Sequence, residues 1–291
     1  MDEQKKGTAH HKDAGRESEL QQAADTLESL TTSPAFSEYL QNEGIDISDQ
    51  TSDEYLKGIH SFSKLFLDMI PHDERTNEHQ LLELSAMTPY ATRQSHLLSL
   101  HQEQPFLLKD EKDIAKNTTI EYGTVMAEYM ARNPDVSIDS LSDTLSQINV
   151  EYTEDDPIIS KKLIHDKVRG VRVEYAFYEL MQHQGFLPIR RGTIDEDRKG
   201  IDFVATPPNG PLLYIDIKAS LDKIAEQNGG YQDQNTFFSV SNTGKIRLFP
   251  LLHDSVFEGD TCRVKDDMRE MLTGKILIAL QQAAHKIASK H

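Results

Sequence analysis

The sequence predicts an α/β (α+β) fold in which a central mixed sheet is flanked by helices and preceded by a mostly helical N-terminal region. Helical periodicity dominates residues 22–150, short strand signals crowd residues 187–249, and a long helical pattern stands on each side of those strands. Helix, several strands and helix again is a layout in which the helices cover the sheet.

The composition fits that expectation. The chain has 291 residues, 37% hydrophobic and 27% charged, which is the balance of a globular protein with one or two domains and room for a buried core. No apolar run approaches the ~20 residues that span a bilayer. Met1 to Leu20 are polar and lack a signal-peptide core, so a cytoplasmic protein is expected. Cys262 is the single cysteine, which excludes an internal disulfide or a thiolate zinc cage.

Charge is distributed unevenly. Residues 1–150 hold 12 Lys+Arg against 27 Asp+Glu, a net of −15, and residues 151–291 hold 19 against 21, a net of −2. Residues 158–250 reach +2, with 13 against 11. The acidity therefore belongs to the first half, as a solvated surface or a face for a basic protein partner.

Residues 1–20 read as a disordered tail with almost nothing to bury. Ser33, Pro34 and Gly44 punctuate a short helix as N-cap, first position and stop. Ser52 to Ile70 is the clearest helix, with Tyr55, Leu56, Ile59, Phe62, Leu65, Phe66, Met69 and Ile70 at three- and four-residue steps, and Pro71 after it. Further helices are predicted at 77–87, 91–102, 118–131 and 138–148. The helical region spans 21–150. The acidic stretch Glu151 to Pro157 is the expected boundary, and the second domain spans 158–291.

Beyond Pro157, Ile158 to Gln184 reads as one long helix or two consecutive ones, ended by Gly185. Strand signals follow at Leu187–Arg190, Ile201–Ala205 and Leu212–Lys218, then a hairpin, Phe237–Ser241 and Lys245–Phe249, around Asn242-Thr243-Gly244. Asp266 to Ala288 closes the chain as a helix with Leu272, Ile276, Leu280, Ala283 and Ile287 on one face.

The chemistry concentrates in Gly200-Ile-Asp202-Phe-Val and Leu213-Tyr-Ile-Asp216-Ile217-Lys218. Strand side chains alternate, so Asp216 and Lys218 share one face while Ile215 and Ile217 point to the core. A turn between the two strands brings Asp202 near Asp216, and paired carboxylates are relieved by a divalent cation such as Mg²⁺ or Mn²⁺. Glu174, on the preceding helix, is the third acid, with Glu179 as its competitor. Read singly, Asp216 and Lys218 also fit a cross-strand charge pair worth under about 1 kcal/mol, Asp202 a turn cap, and Glu174 a solvated helix surface.

Taken together, Gly170-Val-Arg-Val-Glu174 on a helix, Gly185-Phe186 at its end, Gly200-Ile-Asp202-Phe-Val and Asp216-Ile217-Lys218 resemble the PD-(D/E)XK nuclease superfamily, with its restriction-endonuclease-like fold. The resemblance covers about residues 158–250, and Ile201 stands where the name-giving Pro would be. It implies a metal-dependent nuclease, most directly a DNA endonuclease. Asp202, Asp216, the Ile217 carbonyl and Glu174 would hold Mg²⁺ or Mn²⁺, and Lys218 would orient or deprotonate the attacking water. Arg169, Arg172, Arg190, Arg191 and Lys199 are the candidate phosphate contacts. Gln232 and Gln234 lie in a Gly-rich loop beside the motif. A homodimer is compatible with the sequence. The alternative is a catalytically silent nuclease-fold scaffold or regulator whose acidic half docks a protein partner; a structural helical protein with a small sheet is the third.

Overall fold

A computed structural model describes residues 19–71, 74–182, 184, 188–207, 212–217, 238–240, 245–248 and 254–289. They form a mostly helical chain with one small mixed sheet, in the α+β class. The chain divides into two compact units, Met1–Val168 and Arg169–His291. The division falls inside a helix and not at the acidic stretch 151–157.

The first unit is helical. Helix α1 covers residues 19–31 and already buries Leu20, so the stretch expected as a tail ends earlier than residue 20. Helix α2 (Pro34–Asn42) starts as its sequence dictates: Ser33 Oγ accepts the Phe36 amide at 3.1 Å, Pro34 sits in the first turn, and Phe36 and Leu40 are buried. Helix α3 (Asp53–Asp68) is capped by Ser52, whose Oγ accepts the Tyr55 amide at 3.2 Å. Asp53 and Glu54 in its first turn complement the positive end of the helix dipole. Tyr55, Leu56 and Ile59 are buried as expected, and Leu67 is buried beside them. Leu65 and Met69, expected on the same stripe, are exposed at 54% and 75%.

Two helices expected at 77–87 and 91–102 are one, α4 (Asn77–Glu103), which runs through Pro89. A proline in a helix interior removes an N–H and costs about 3 kcal/mol. The cost is offset by packing: α4 contacts α3, α5 (Lys109–Arg132) and α6 (Ile138–Tyr152). Nearly every residue from Leu81 to Gln94 is buried, and Thr88 Oγ1, 3.0 Å from the buried Tyr122 hydroxyl, donates to the Leu84 carbonyl. Surrounded on all sides, this helix has no amphipathic signature to read.

Helix α7 (Pro157–Gln182) is one continuous element and carries the chain into the second unit. There the five strands are β1 (Ile189–Arg191), β2 (Phe203–Ala205), β3 (Leu213–Ile217), β4 (Phe238–Val240) and β5 (Lys245–Leu248), in the order β1-β2-β3-β5-β4. All pairs are antiparallel except β3–β5. A short α8 (Ile194–Asp197) interrupts β1 and β2, and α9 (Asp266–Ala288) closes the chain. Phe203, Ala205, Leu213, Ile215, Ile246 and Leu248 cover one face of the sheet. They join Val173, Phe177 and Leu180 of α7 and Leu272, Ile276, Leu280 and Ala283 of α9 in one core. Each such side chain contributes roughly 1.5–3 kcal/mol by leaving water. The expected Gly185 stop and the Asn242–Gly244 turn lie outside the described residues.

Among the described residues, no helix is long and apolar enough to cross a membrane.

Candidate active site

The site is built on the face of the sheet opposite that core. Phe203 pairs with Ile215 across β2 and β3, and Asp202, immediately before β2, donates its amide to the carbonyl of the same Ile215, one step out of that register. Asp202 thus lies beside the segment of β3 that carries Asp216.

Two glycines make the approach feasible. Gly192 donates its amide to the Asp202 carbonyl at 2.8 Å, and a Cβ at Gly192 would run into the Ile201 carbonyl. Gly200 has φ +69°, a left-handed conformation that costs little without a side chain. It ends α8 in a Schellman arrangement: the Gly200 amide donates to Asp197 at 2.6 Å and the Ile201 amide to Glu196 at 3.0 Å. At the other end Thr193 and Glu196 form a capping box. The loop before Asp202 is thus folded on itself at both ends.

Asp202 braces the strand beside it. Its amide donates to the Ile215 carbonyl at 2.8 Å, and its Oδ2 accepts the Ile217 amide at 2.5 Å. Both neighbours of Asp216 are held by one residue. Asp216 is 1% exposed, and the Lys245 Nζ, from the parallel strand β5, lies 3.7 Å from its Oδ2. A buried carboxylate needs a cation or several hydrogen bonds to remain charged. Lys245 supplies that charge. Lys218, the lysine expected beside Asp216, lies outside the described residues, as do Gln232 and Gln234.

Glu174 is half-buried on α7 next to the core residue Val173. It does not join the aspartates: among the described residues, no group of three or more His, Cys, Asp or Glu side chains is placed to hold a metal ion. Its competitor Glu179 pairs with Arg269 of α9 at 2.6 Å. Asp202, bonded to the Ile217 amide, is the acid held beside the strand of Asp216, with the Ile217 carbonyl adjacent in the chain. Two carboxylates suit Mg²⁺, which retains several waters and usually takes only one or two protein carboxylates plus substrate phosphate.

The basic candidates divide sharply. Arg172 is a correction. It is 3% exposed, donates to the Thr261 carbonyl at 2.7 Å and the Gly259 carbonyl at 3.1 Å, and pairs with Asp254 at 3.2 Å. Its guanidinium also lies over the Phe257 ring, 3.7 Å from the centroid. Each of its three nitrogens donates within the 254–261 segment, so this buried guanidinium organises that turn. Arg169 pairs with the same Asp254. Arg190 grips Glu196 through both nitrogens at 2.7 and 2.8 Å, and this bidentate bond, with the Thr193 amide, draws the Glu196 carboxyl down to about 2. Arg191 reaches over Tyr178, 5.9 Å from the ring centroid. Lys199 is exposed.

A separate cleft of about 810 Å³ in the first unit is lined by Glu28, Thr31, Tyr55, Glu151, Tyr152 and Glu154, among others. No candidate residue lies in it. Sequence reasoning missed Lys245, because its neighbour is chosen by a parallel strand pairing that no local pattern announces; the only signal was a lysine opening the last predicted strand. Comparison of the chain with protein-family models, with curated proteins and with solved structures gives no match.

Proposed function

We propose that the second unit is a metal-dependent phosphodiesterase of the PD-(D/E)XK type, with a restriction-endonuclease-like core, acting on DNA as an endonuclease. The observation that carries this reading is the Asp202 carboxylate accepting the Ile217 amide at 2.5 Å, which holds one acid against the strand that carries the other, Asp216. The order of elements supports it: a long helix, then three antiparallel strands carrying the two acids.

In this reading Asp202, Asp216 and the Ile217 carbonyl hold Mg²⁺ or Mn²⁺. A bound divalent ion supplies Lewis-acid stabilisation of phosphate charge and a more acidic water. Asp202 has a second task, fixing the backbone on both sides of Asp216 through Ile215 and Ile217. Lys218 follows Asp216 by two residues and would share its face if the strand continued in register, where an ammonium orients water and neutralises developing charge. Lys199, exposed at the end of α8, is the candidate phosphate contact best placed to remain available, with Arg190 and Arg191 beside it.

A second reading is a catalytically silent nuclease-fold scaffold with the acidic first unit docking a basic partner. It is favoured by the protein contacts that already engage both aspartates, the Ile217 amide on Asp202 and Lys245 on Asp216.

The test is incubation of the full chain with supercoiled, linear, branched and single-stranded DNA in Mg²⁺ or Mn²⁺, beside Asp216→Ala and Lys218→Ala. Metal-dependent cutting by the parent that both variants lack supports the first reading. No cutting under any condition supports the scaffold.

A further inference from the structure

We propose that Lys245 is a built-in counter-cation of the site, occupying the charge position beside Asp216 and competing there with the divalent ion. The inference rests on the reading of Asp202 and Asp216 as a metal pair. It is argued from three contacts that converge on a single ammonium.

The first is Asp216 Oδ2, 3.7 Å from Lys245 Nζ, in a pair whose side chains are 2% and 19% exposed respectively. The second is the Lys199 carbonyl, which accepts from Nζ at 3.2 Å. That carbonyl lies two residues past the C-terminus of α8. The third is Gly200: a Cβ built there would stand 3.1 Å from Nζ, so the glycine keeps open the space that the ammonium fills. Carboxylate, backbone carbonyl and missing methyl form a cradle shaped for one positive group.

A divalent ion taken up by Asp202 and Asp216 brings two more positive charges to that cradle. Lys245 and the ion repel one another at low effective dielectric, so the lysine weakens metal binding and must turn away from Asp216 when the ion enters. Lys245 is thereby a positioning residue that sets the metal concentration at which the site loads.

The experiment is calorimetric titration of Mn²⁺ into the full chain and into Lys245→Met, Lys245→Gln, Lys245→Arg and Asp216→Asn, with thermal melts of each. The expected result is binding by the parent that Asp216→Asn loses, affinity raised on the order of tenfold in Lys245→Met and Lys245→Gln, and affinity near the parent's in Lys245→Arg. The glutamine variant retains a donor for the Lys199 carbonyl and carries the test if the methionine variant melts early. Equal or weaker Mn²⁺ affinity in folded Met and Gln variants overturns this inference and leaves the metal pair standing. Absence of binding in the parent and in both neutral variants overturns the metal pair and this inference together.

Discussion

Asp202 holds the backbone on both sides of Asp216, with its amide on the Ile215 carbonyl and its carboxylate on the Ile217 amide at 2.5 Å. The two roles of this side chain, acceptor and charge, are separable. Asp202→Asn keeps an acceptor for Ile217 and should unfold in urea within about 1 kcal/mol of the parent, whereas Asp202→Ala orphans the amide and should cost about 1–3 kcal/mol. Both should lack divalent-dependent cleavage of plasmid DNA. Retained cleavage in either variant would remove Asp202 from the site.

Arg172 and Arg190 should separate in the opposite way. Arg172→Met leaves the Thr261 and Gly259 carbonyls without their donor while the exposed Asp254 keeps Arg169, and orphaned acceptors cost about 1–3 kcal/mol. Arg190→Ala breaks a pair on an exposed side chain, worth under about 1 kcal/mol. Urea unfolding of the two variants measures the difference, and DNA affinity at low and moderate salt should fall, if at all, only for Arg190.

Gly200 is left-handed at φ +69°, so Gly200→Ala should destabilise by about 1–2 kcal/mol from backbone strain. The added methyl also crowds Lys245 Nζ. Gly192→Ala should be the more damaging, because its methyl meets the Ile201 carbonyl, which is backbone and has nowhere to move. Thermal melts rank the two.

Acid should loosen the first unit through His60. This half-buried side chain on α3 has a buried Nε2 with no hydrogen-bond partner among the described residues. Burial lowers its pKa from the ordinary 6.5, opposed by Glu121 and assisted by Lys64. The folded protein therefore binds this proton less readily than the unfolded chain, so stability is intact above pH 6.5 and falls as the pH drops from there toward the folded value. Glu83 works with the opposite sign: burial raises its pKa from 4.5, so its cost accrues as pH rises above that value. The difference between parent and His60→Gln isolates the histidine. Unfolding free energies measured from pH 7.5 to 5.5 should decline more steeply in the parent, and parallel slopes would exclude His60.

Much of the second unit was legible in the sequence. All five strands lie where β-branched alternation and turn residues put them, and α9 has the bounds that its apolar stripe predicts. The antiparallel pairing of β2 with β3, which brings Asp202 alongside the strand of Asp216, was legible because a short turn between two strands admits few registers. Glu174 was not, since a helix pattern shows which residues are buried but not which strand each faces. Arg172 resembled a surface cation because sequence gives charge without burial. The break expected between residues 87 and 91 is absent because three neighbouring helices hold the chain helical through Pro89.

The parallel contact between β3 and β5 also orders events in time. The pairings of β1, β2 and β3 join segments close along the polypeptide, while Lys245 reaches Asp216 only through the pairing of β3 with β5, which are farther apart in the chain. Contacts of that kind form late, because chain entropy is lost before they reward it. Asp216 therefore depends for its lysine on the long-range parallel pairing of the sheet, and a change that weakens the β3–β5 pairing uncovers the acid.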